Sequence, residues 1–364
     1  MMYSCAPAAR GGGSSAKVKK RGKTLTVDIH CHYQNNAVAE KVTPLNPAQH
    51  EPMAVFSNAA TREANAKQGK ERAAKLTDIA LRLKEMDRMG IDIQAVCPAP
   101  HQTYYWTEPG MGAELSRAVN ERLAEIVAQH PERFVALGTV PLQDVSLAVA
   151  ELEHCVRKLG MRGVEINPSV RGMDLTDAKL NLEPFFAAVE KLGVIIFMHP
   201  IGFTHGERLV DHYFSNIIGN PLETTVAASH LIFDGVMERH PKLKVVLPHA
   251  GGYLAHYWAR MDHAYKARGD TRGQMKRKPS TYLERFYFDT ITFDHGMLAH
   301  LIARFGADHV LLGTDYPYDM GMERPLEFID GVKGLAASER AAIQGGNAAR
   351  LLNLDYNRAQ RRRS

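Results

Sequence analysis

The run Leu25-Thr26-Val27-Asp28-Ile29-His30-Cys31-His32 joins a short apolar stretch to two histidines that lie two residues apart. Its apolar part, Leu25–Ile29, is typical of a strand that is buried on both faces, as strands of parallel sheets are. Alternate residues of a strand point to the same side, so His30 and His32 can face one common space. The run therefore predicts a buried parallel strand that leads into a site with ligand-type side chains.

Seven similar apolar runs follow along the chain, and stretches with helical periodicity lie between them. The predicted strands are Ile93–Cys97, Phe134–Val140, Gly163–Ile166, Val194–Met198, Lys244–Leu247, Phe286–Thr290 and Val310–Gly313. The predicted helices include Ala113–His130, Ser146–Leu159, Pro184–Leu192, Thr224–Arg239, Tyr253–Lys266 and His295–Phe305. Strands that alternate with helices over this length predict an α/β fold of the (β/α)₈ TIM-barrel type. An open doubly wound sheet remains an alternative, although no glycine-rich dinucleotide fingerprint follows the first strand.

The predicted organisation is one barrel domain over residues 24–353, between basic tails at 1–23 and 354–364 that we expect to be disordered. Two loop insertions interrupt the repeat. Gln34–Lys75 follows strand 1 and becomes helix-like from about Ala59, and Ile201–Asn220 follows strand 5. Loops after barrel strands lie on the face that carries active sites, so we expect both insertions to cover the site. Ser338–Leu352 predicts one or two closing helices.

The charge of the chain is concentrated in the tails. The net charge is +5, yet residues 1–23 and 358–364 hold ten basic residues and no acidic one, which leaves the rest of the chain at about −5. A body with this balance does not predict a nucleic-acid partner. No apolar run approaches the length of a membrane span, and the four cysteines (Cys5, Cys31, Cys97, Cys155) lack paired spacing. We therefore expect a cytoplasmic protein with free thiols and no membrane partner.

Further polar residues follow three more of the predicted strands. They are His199-Pro200 after strand 5, Pro248-His249-Ala250-Gly251-Gly252 after strand 6, and Gly313-Thr314-Asp315-Tyr316-Pro317 after strand 8. A lone histidine at a strand end is more often structural, and with 17 histidines a single His-x-His pair is expected by chance. Four runs that meet at the same barrel end instead indicate one metal site, with His249 and Asp315 placed to transfer protons.

These motifs together resemble the amidohydrolase superfamily, in its aminocarboxymuconate-semialdehyde decarboxylase-like branch, over roughly residues 24–353; Pro221-Leu222-Glu223-Thr224-Thr225 is a further shared motif. The resemblance implies one divalent metal per chain, usually zinc, on His30, His32, His199 and Asp315. It implies that His249 transfers protons. It also implies a homodimer in which Arg260 contacts a substrate carboxylate of the neighbouring subunit.

The chain departs from parts of the branch. Several aromatic-acid decarboxylases carry Glu in place of His30, and the relative that acts on aminocarboxymuconate semialdehyde has Trp after the strand-5 His-Pro, where this chain has Ile201-Gly202-Phe203. A second carboxylate-binding arginine of that relative lies in the rebuilt insertion, and the sequence does not decide whether Arg62 or Arg72 corresponds to it. Strand 4 offers Glu165 and no bridging lysine, which favours one metal.

The activity that we expect is decarboxylation of an unsaturated or aromatic carboxylic acid, a small molecule, without an organic cofactor. Catalysis would rest on His249 and Asp315, and the candidate substrate-binding residues are Arg260, Phe203, Trp106 and Tyr318. A hydrolase that acts on an amide, lactone or C–C bond is the alternative, because the same metal site can activate water. A metal-binding barrel without catalysis is a third possibility. Neither the substrate nor the metal follows from the sequence.

Overall fold

The computed structural model describes residues 24–354, so the predicted tails, apart from Leu354, lie outside the described residues. Eight strands form the centre, and we number them in chain order. They are β1 Val27–Tyr33, β2 Ile93–Pro98, β3 Phe134–Ala136, β4 Gly163–Ile166, β5 Ile195–Met198, β6 Lys244–Leu247, β7 Tyr287–Asp289 and β8 Val310–Leu311. All neighbouring strands run parallel. A short antiparallel hairpin, Ser169–Val170 with Met173–Asp174, follows β4.

Two isolated bridges close the strands into a ring. Gly138, just past β3, pairs with Val164 of β4, and Cys31 of β1 pairs with Tyr316, just past β8. The Ile29 amide also donates to the Leu312 carbonyl at 2.9 Å, which joins the last strand to the first. The fold is therefore the (β/α)₈ barrel that the alternating pattern predicts.

Helices surround the barrel and fill its insertions. The α-helices are Asn36–Val42, Pro52–Val55, Ala59–Thr77, Ile79–Met89, Pro109–Gln129, Val145–Arg157, Glu183–Leu192, Phe214–Ile217, Gly219–Phe233, Val236–Arg239, Leu254–Ala267, Pro279–Leu283, His295–Phe305, Pro325–Asp330, Ala337–Ala341 and Asn347–Leu351, with a π-helical turn at Ala342–Gly346. Short 3₁₀ turns lie at Thr43–Leu45, Pro47–Gln49, Pro100–Thr103, His249–Gly251, Asp270–Arg272 and Ala307–His309. Among residues 24–354, no helix combines the length and hydropathy that a membrane span requires.

The structure corrects three of the predicted boundaries. Strand β1 continues through His30 and His32 to Tyr33, because the whole run is buried. The predicted helix Thr224–Arg239 is two helices, since Gly235 between them has a φ of +80° that ends the first. The first half of the insertion Gln34–Lys75 is helical as well, despite its prolines, because Pro47 and Pro52 each stand at the start of a helical turn, where proline is tolerated.

Candidate active site

The imidazoles of His30 and His32 lie side by side on β1, as their spacing predicts, with their Nε2 atoms 3.1 Å apart. The Asp28 side chain, which lies behind the two imidazoles, fixes this end of the strand. Asp28 accepts hydrogen bonds from the Thr314 hydroxyl at 2.6 Å and from the Gln94 amide at 3.0 Å. Burial raises the pKa of Asp28 to about 6 against these hydrogen bonds. Asp28 therefore ties β1 to β2 and to the loop after β8 and does not enter the site.

Both β1 imidazoles use Nδ1 to bond an acceptor behind them. The His30 Nδ1 lies 2.7 Å from a carboxylate oxygen of Asp289, and the His32 Nδ1 lies 2.9 Å from the Pro98 carbonyl. Because these partners only accept, Nδ1 carries the proton in each ring. Each Nε2 is then free to present its lone pair, and each lies 3.3 Å from the same oxygen of Asp315.

His199 and Asp315 complete the cluster. The ligand atoms of His30, His32, His199 and Asp315 all lie within 4.8 Å of one another, and all four residues are buried. Among the described residues, the two ring nitrogens of His199 have no hydrogen-bond partner. The Oδ1 atom of Asp315 has none among them either. A buried polar atom without a partner is costly, so this arrangement of lone pairs fits a bound cation.

The pKa values of the cluster residues also indicate that the site stabilises positive charge. Burial lowers the pKa of His30, but the carboxylates of Asp315 and Asp289 outweigh it and raise that pKa to about 10. Burial and the neighbouring imidazoles hold the pKa of His199 well below its usual value, so this ring is neutral. Burial alone would raise the pKa of Asp315, yet His30 and His249 hold it well below the usual range. Without an ion His30 therefore holds a proton, and a bound divalent cation would take the place of that proton beside the neutral His199 and the ionised Asp315.

The backbone after β8 aims Asp315 at the cluster. Asp315 has a φ of +55°, and its amide donates to the His30 carbonyl at 2.8 Å. At Gly313, two residues earlier, the backbone passes very close to the neighbouring strands. A Cβ there would lie 2.9 Å from the Cβ of Asp289 and 3.0 Å from that of His30. The Gly-Thr-Asp sequence is therefore required by packing as well as by chemistry.

His249 stands at the edge of the cluster. Its Nε2 lies 3.7 Å from the second carboxylate oxygen of Asp315, and its ring centroid lies 5.3 Å from that of His199. The side chain is 17% exposed, whereas His30 and His32 are fully buried. Among the described residues its Nδ1 has no hydrogen-bond partner. This ring is therefore placed beside the cluster with access to solvent.

A cavity of about 340 Å³, which we call the metal-side cavity, opens beside the cluster and is lined by His199 and Asp315. The insertion after β1 supplies one wall through Arg72 of the helix Ala59–Thr77. The Arg72 guanidinium lies 5.1 Å from the centre of the Tyr318 ring and 3.3 Å from a carboxylate oxygen of Asp319. A half-buried arginine thus faces the same space as the predicted metal ligands.

A second cavity of about 440 Å³ adjoins the first. The two share Glu51, His101 and Ile201, and we call these three residues the boundary. Trp106 lines the second cavity together with Tyr104 and Tyr105, so the aromatic run after β2 does form the wall of a pocket. None of the four clustered ligand residues lines this second cavity.

The predicted substrate-binding residues fall into two groups. Tyr318 lines the metal-side cavity and Trp106 lines the second cavity. Phe203 is half-buried in the loop after β5 but lines neither cavity, because Ile201, Gly202 and Thr204 face them instead. Arg260 is exposed on the helix Leu254–Ala267 and does not face either cavity of its own chain.

Sequence reasoning missed Asp289 and left Arg72 unassigned. Asp289 holds the His30 ring, and the signal was an acid inside the apolar run Phe286–Thr290. Arg72 faces the metal-side cavity from an insertion whose path the sequence does not reveal.

Comparisons with known proteins agree with this geometry. The model of the amidohydrolase family matches residues 27–354. A 2-amino-3-carboxymuconate-6-semialdehyde decarboxylase from Dictyostelium discoideum is 33% identical over 77% of this chain and 78% of its own. A gamma-resorcylate decarboxylase from a Rhizobium species is 31% identical over 79% of this chain and 90% of its own. The crystal structure of 5-carboxyvanillate decarboxylase from Sphingomonas paucimobilis has a TM-score of 0.82 at 25% identity, covering 91% of this chain and 100% of that one. The chain therefore belongs to the amidohydrolase family, in its aminocarboxymuconate-semialdehyde decarboxylase-like branch.

Proposed function

We propose that this chain is a metal-dependent decarboxylase of an unsaturated or aromatic carboxylic acid. The observation that carries the proposal is the buried cluster of His30, His32, His199 and Asp315, whose unpartnered atoms adjoin a cavity of small-molecule size. The three similar proteins are decarboxylases by name, which favours loss of CO₂ over hydrolysis.

We infer that the cluster holds one divalent ion per chain and that this ion is zinc, which three imidazoles and one carboxylate suit well. When bound, the ion supplies a Lewis acid that neutralises negative charge on the substrate. Asp289 and the Pro98 carbonyl keep the β1 imidazoles in the tautomer that presents Nε2. Elemental analysis is expected to give about one equivalent of zinc per chain, since the described residues contain one such cluster; two equivalents, or manganese in its place, would correct the count or the ion.

Loss of CO₂ requires a proton at the carbon that bears the carboxylate, and we assign its delivery to His249. The imidazolium gives its proton to that carbon, the bond to the carboxylate carbon breaks, and the electron pair of that bond restores the double bond of the substrate. Asp315, 3.7 Å away, stabilises the charged imidazole before the transfer. His249 is then protonated again from water, which its partial exposure allows.

We assign Arg72 to the substrate carboxylate. Its only ion pair within residues 24–354 is the one with Asp319, so most of its N–H donors are available to a ligand. A guanidinium accommodates both oxygens of a carboxylate in one plane. Tyr318 lies under the Arg72 side chain and at an edge of His32, with ring centroids 5.2 Å apart, so it can hold the substrate between the arginine and the cluster.

We further propose a homodimer in which Arg260 reaches the neighbouring cavity. Arg260 is exposed, and the same helix presents Tyr257 at 57% exposure. The adjoining helix His295–Phe305 presents Met297 at 42%, next to Phe293 at 52%. A group of exposed large apolar residues around an arginine is typical of a protein interface.

An activity panel tests the proposal. The zinc-loaded protein is incubated with unsaturated and aromatic carboxylic acids, and with amides, esters and lactones of matched shape. We expect CO₂ from at least one acid and no hydrolysis. Hydrolysis of an amide or lactone without CO₂ release would favour the hydrolase, and a zinc-loaded protein inert toward the whole panel would contradict both activities.

A further inference from the structure

The second cavity has no role in the chemistry assigned so far. At about 440 Å³ it is larger than the metal-side cavity, and either is wide enough for an aromatic ring. The two meet at the boundary residues Glu51, His101 and Ile201. The two cavities are therefore adjacent, with these three side chains between them.

The boundary is held by fixed backbone contacts. The Met53 amide donates to the Ile201 carbonyl at 3.1 Å, which joins the insertion after β1 to the loop after β5. Gly202 has a φ of +87°, and a Cβ there would lie 2.7 Å from the Met53 nitrogen. The Gly202 amide donates to the Asn220 side chain at 2.7 Å. The division between the cavities is thus built into the packing of the two insertions.

The wall of the second cavity suits a flat group. The Trp106 indole stacks on the His50 ring with centroids 4.3 Å apart and an interplanar angle of 13°. The Tyr104 ring meets Trp106 edge-on at 6.3 Å. Aromatic and conjugated groups pack well against such surfaces.

The charged side chains of the second cavity are mostly engaged within the protein. Arg171 donates to the carbonyls of Tyr105 at 2.9 Å and Thr107 at 2.6 Å. The Glu223 carboxylate accepts from the Thr204 hydroxyl at 2.6 Å and from its amide at 3.2 Å. Arg171 and Glu223 are therefore already paired within the protein.

The polar side chains of the boundary differ from Arg171 and Glu223 in this respect. Within residues 24–354, the side chains of Glu51 and His101 have no hydrogen-bond or ion-pair partner, although the Glu51 carbonyl accepts from the Ala54 and Val55 amides. Burial raises the pKa of Glu51 to about 7, and burial with the nearby His32 and Arg72 lowers the pKa of His101 to about 4. A half-buried carboxyl group without a partner is best satisfied by an N–H or O–H donor from a ligand.

We propose that the substrate spans both cavities. Its reacting carboxylate lies in the metal-side cavity, an amino or hydroxyl group donates to Glu51 at the boundary, and a second ring or conjugated arm packs on Trp106. The inference rests on the proposed decarboxylase function and narrows its substrate class to extended aromatic or unsaturated acids.

Trp106 provides a direct readout. The chain has two tryptophans, so Trp258→Phe leaves Trp106 as the sole source of indole emission. The probes are a hydroxybenzenesulfonate, which cannot lose CO₂, and the same compound extended by a phenyl ring at the meta or para position. We expect an extended probe to change Trp106 emission and to bind about tenfold more tightly than the single-ring probe, since a further ring is buried. The single-ring probe should leave the emission nearly unchanged.

Substitutions of Trp106 and of Glu51 test the cavity wall and the boundary separately, and calorimetry measures probe binding to each variant. Trp106→Ala should remove the affinity advantage of the extended probe and leave single-ring binding unchanged; Trp106→Phe, a milder change, should keep most of the advantage. Glu51→Gln should weaken the extended probe only when the probe carries its hydroxyl group. Glu63→Gln is the matched control, because Glu63 is exposed on the insertion helix and lines neither cavity.

Equal affinity for short and extended probes, or an advantage that survives Trp106→Ala, would overturn the inference. If the extended probes bind as expected but neither short nor extended carboxylates release CO₂, the decarboxylase function fails while the second cavity remains a binding site.

Discussion

Each predicted ligand imidazole of β1 is oriented by an acceptor on another strand. Asp289 belongs to β7 and Pro98 to β2, so the tautomers of His30 and His32 depend on barrel closure. Asp289 also accepts from the Ala250 amide at 2.9 Å, which fixes the turn that carries His249. One carboxylate therefore positions a predicted ligand and the predicted proton donor.

This double contact makes Asp289 a sensitive position. Asp289→Asn removes the charge that favours ligation by His30, so we expect metal affinity to fall by about 10–100-fold. Competition with a chromogenic chelator measures this affinity. Asp308→Asn is the control, because Asp308 is 68% exposed beside His309, away from the cluster. Unchanged affinity in Asp289→Asn would show that this carboxylate does not support the site.

For His249, in contrast, we expect substitution to lower activity without lowering metal content. His249→Asn removes the proton donor and leaves the four clustered residues, so we expect activity to fall by about 10²–10⁴-fold with metal content unchanged. Activity and elemental analysis are measured on the same preparation. The control is His309→Asn, since His309 precedes β8 at the other end of the barrel. Loss of metal together with activity would make His249 a ligand.

The residues of the site were predictable to different degrees. The His-x-His pair and the Gly-Thr-Asp run could be recognised in the sequence because they continue predicted strands, whose periodicity indicates where side chains point. Arg72 could not be placed, since its position depends on how a long helical insertion packs over the barrel. Phe203, predicted to bind substrate, lines neither cavity; it follows Gly202, whose φ of +87° marks a turn that the sequence does not reveal.

At the scale of elements, strand positions were clearer in the sequence than helix limits. Fully buried parallel strands appear as continuous apolar runs, whereas the break of Gly219–Phe233 from Val236–Arg239 depends on a single left-handed glycine. The helices within Asn36–Val55 are short, and Pro52–Val55 is joined to the loop after β5 through the Met53 amide and the Ile201 carbonyl, a contact that local sequence does not contain.

A substitution of Gly202 tests the contact between the two insertions, because Gly202 lies where they meet. Gly202→Ala introduces a Cβ against the Met53 backbone at a φ that alanine disfavours. We expect a loss of about 1–2 kcal/mol of stability and a raised KM, with metal content retained, because the cluster lies on the barrel itself. Chemical denaturation and steady-state kinetics report the two effects.

The matched control is Gly110→Ala, which has open space around the added methyl group and should be neutral or slightly stabilising. A Gly202→Ala protein with normal KM would indicate that the contact between the insertions does not shape the substrate site.

At the scale of the whole molecule, the barrel brings residues from distant parts of the sequence to one end, and this could be predicted from the order of the motifs. The homodimer was expected only from the family resemblance and stays a proposal. The exposed residues Tyr257, Phe293, Met297 and Arg260 are the surface features that favour it.

Subunit mixing tests the proposed dimer. Arg260→Ala and His249→Ala proteins should each be inactive if Arg260 acts on the neighbouring site. Mixing and re-association should restore about a quarter of the activity, because half of the dimers are hybrids and each hybrid contains one intact site. A monomer in solution, or an Arg260→Ala protein with normal KM and kcat, would end this proposal.

Isotope uptake into the product tests the central claim most directly. The zinc-loaded protein is incubated with its best carboxylic acid in D₂O enriched in ¹⁸O, and the product is examined by mass spectrometry. The account predicts that the product lacks one CO₂ and carries one deuterium at the carbon that held the carboxylate, with no ¹⁸O from solvent. A product that retains all its carbon and gains ¹⁸O would contradict decarboxylation and identify a hydrolase.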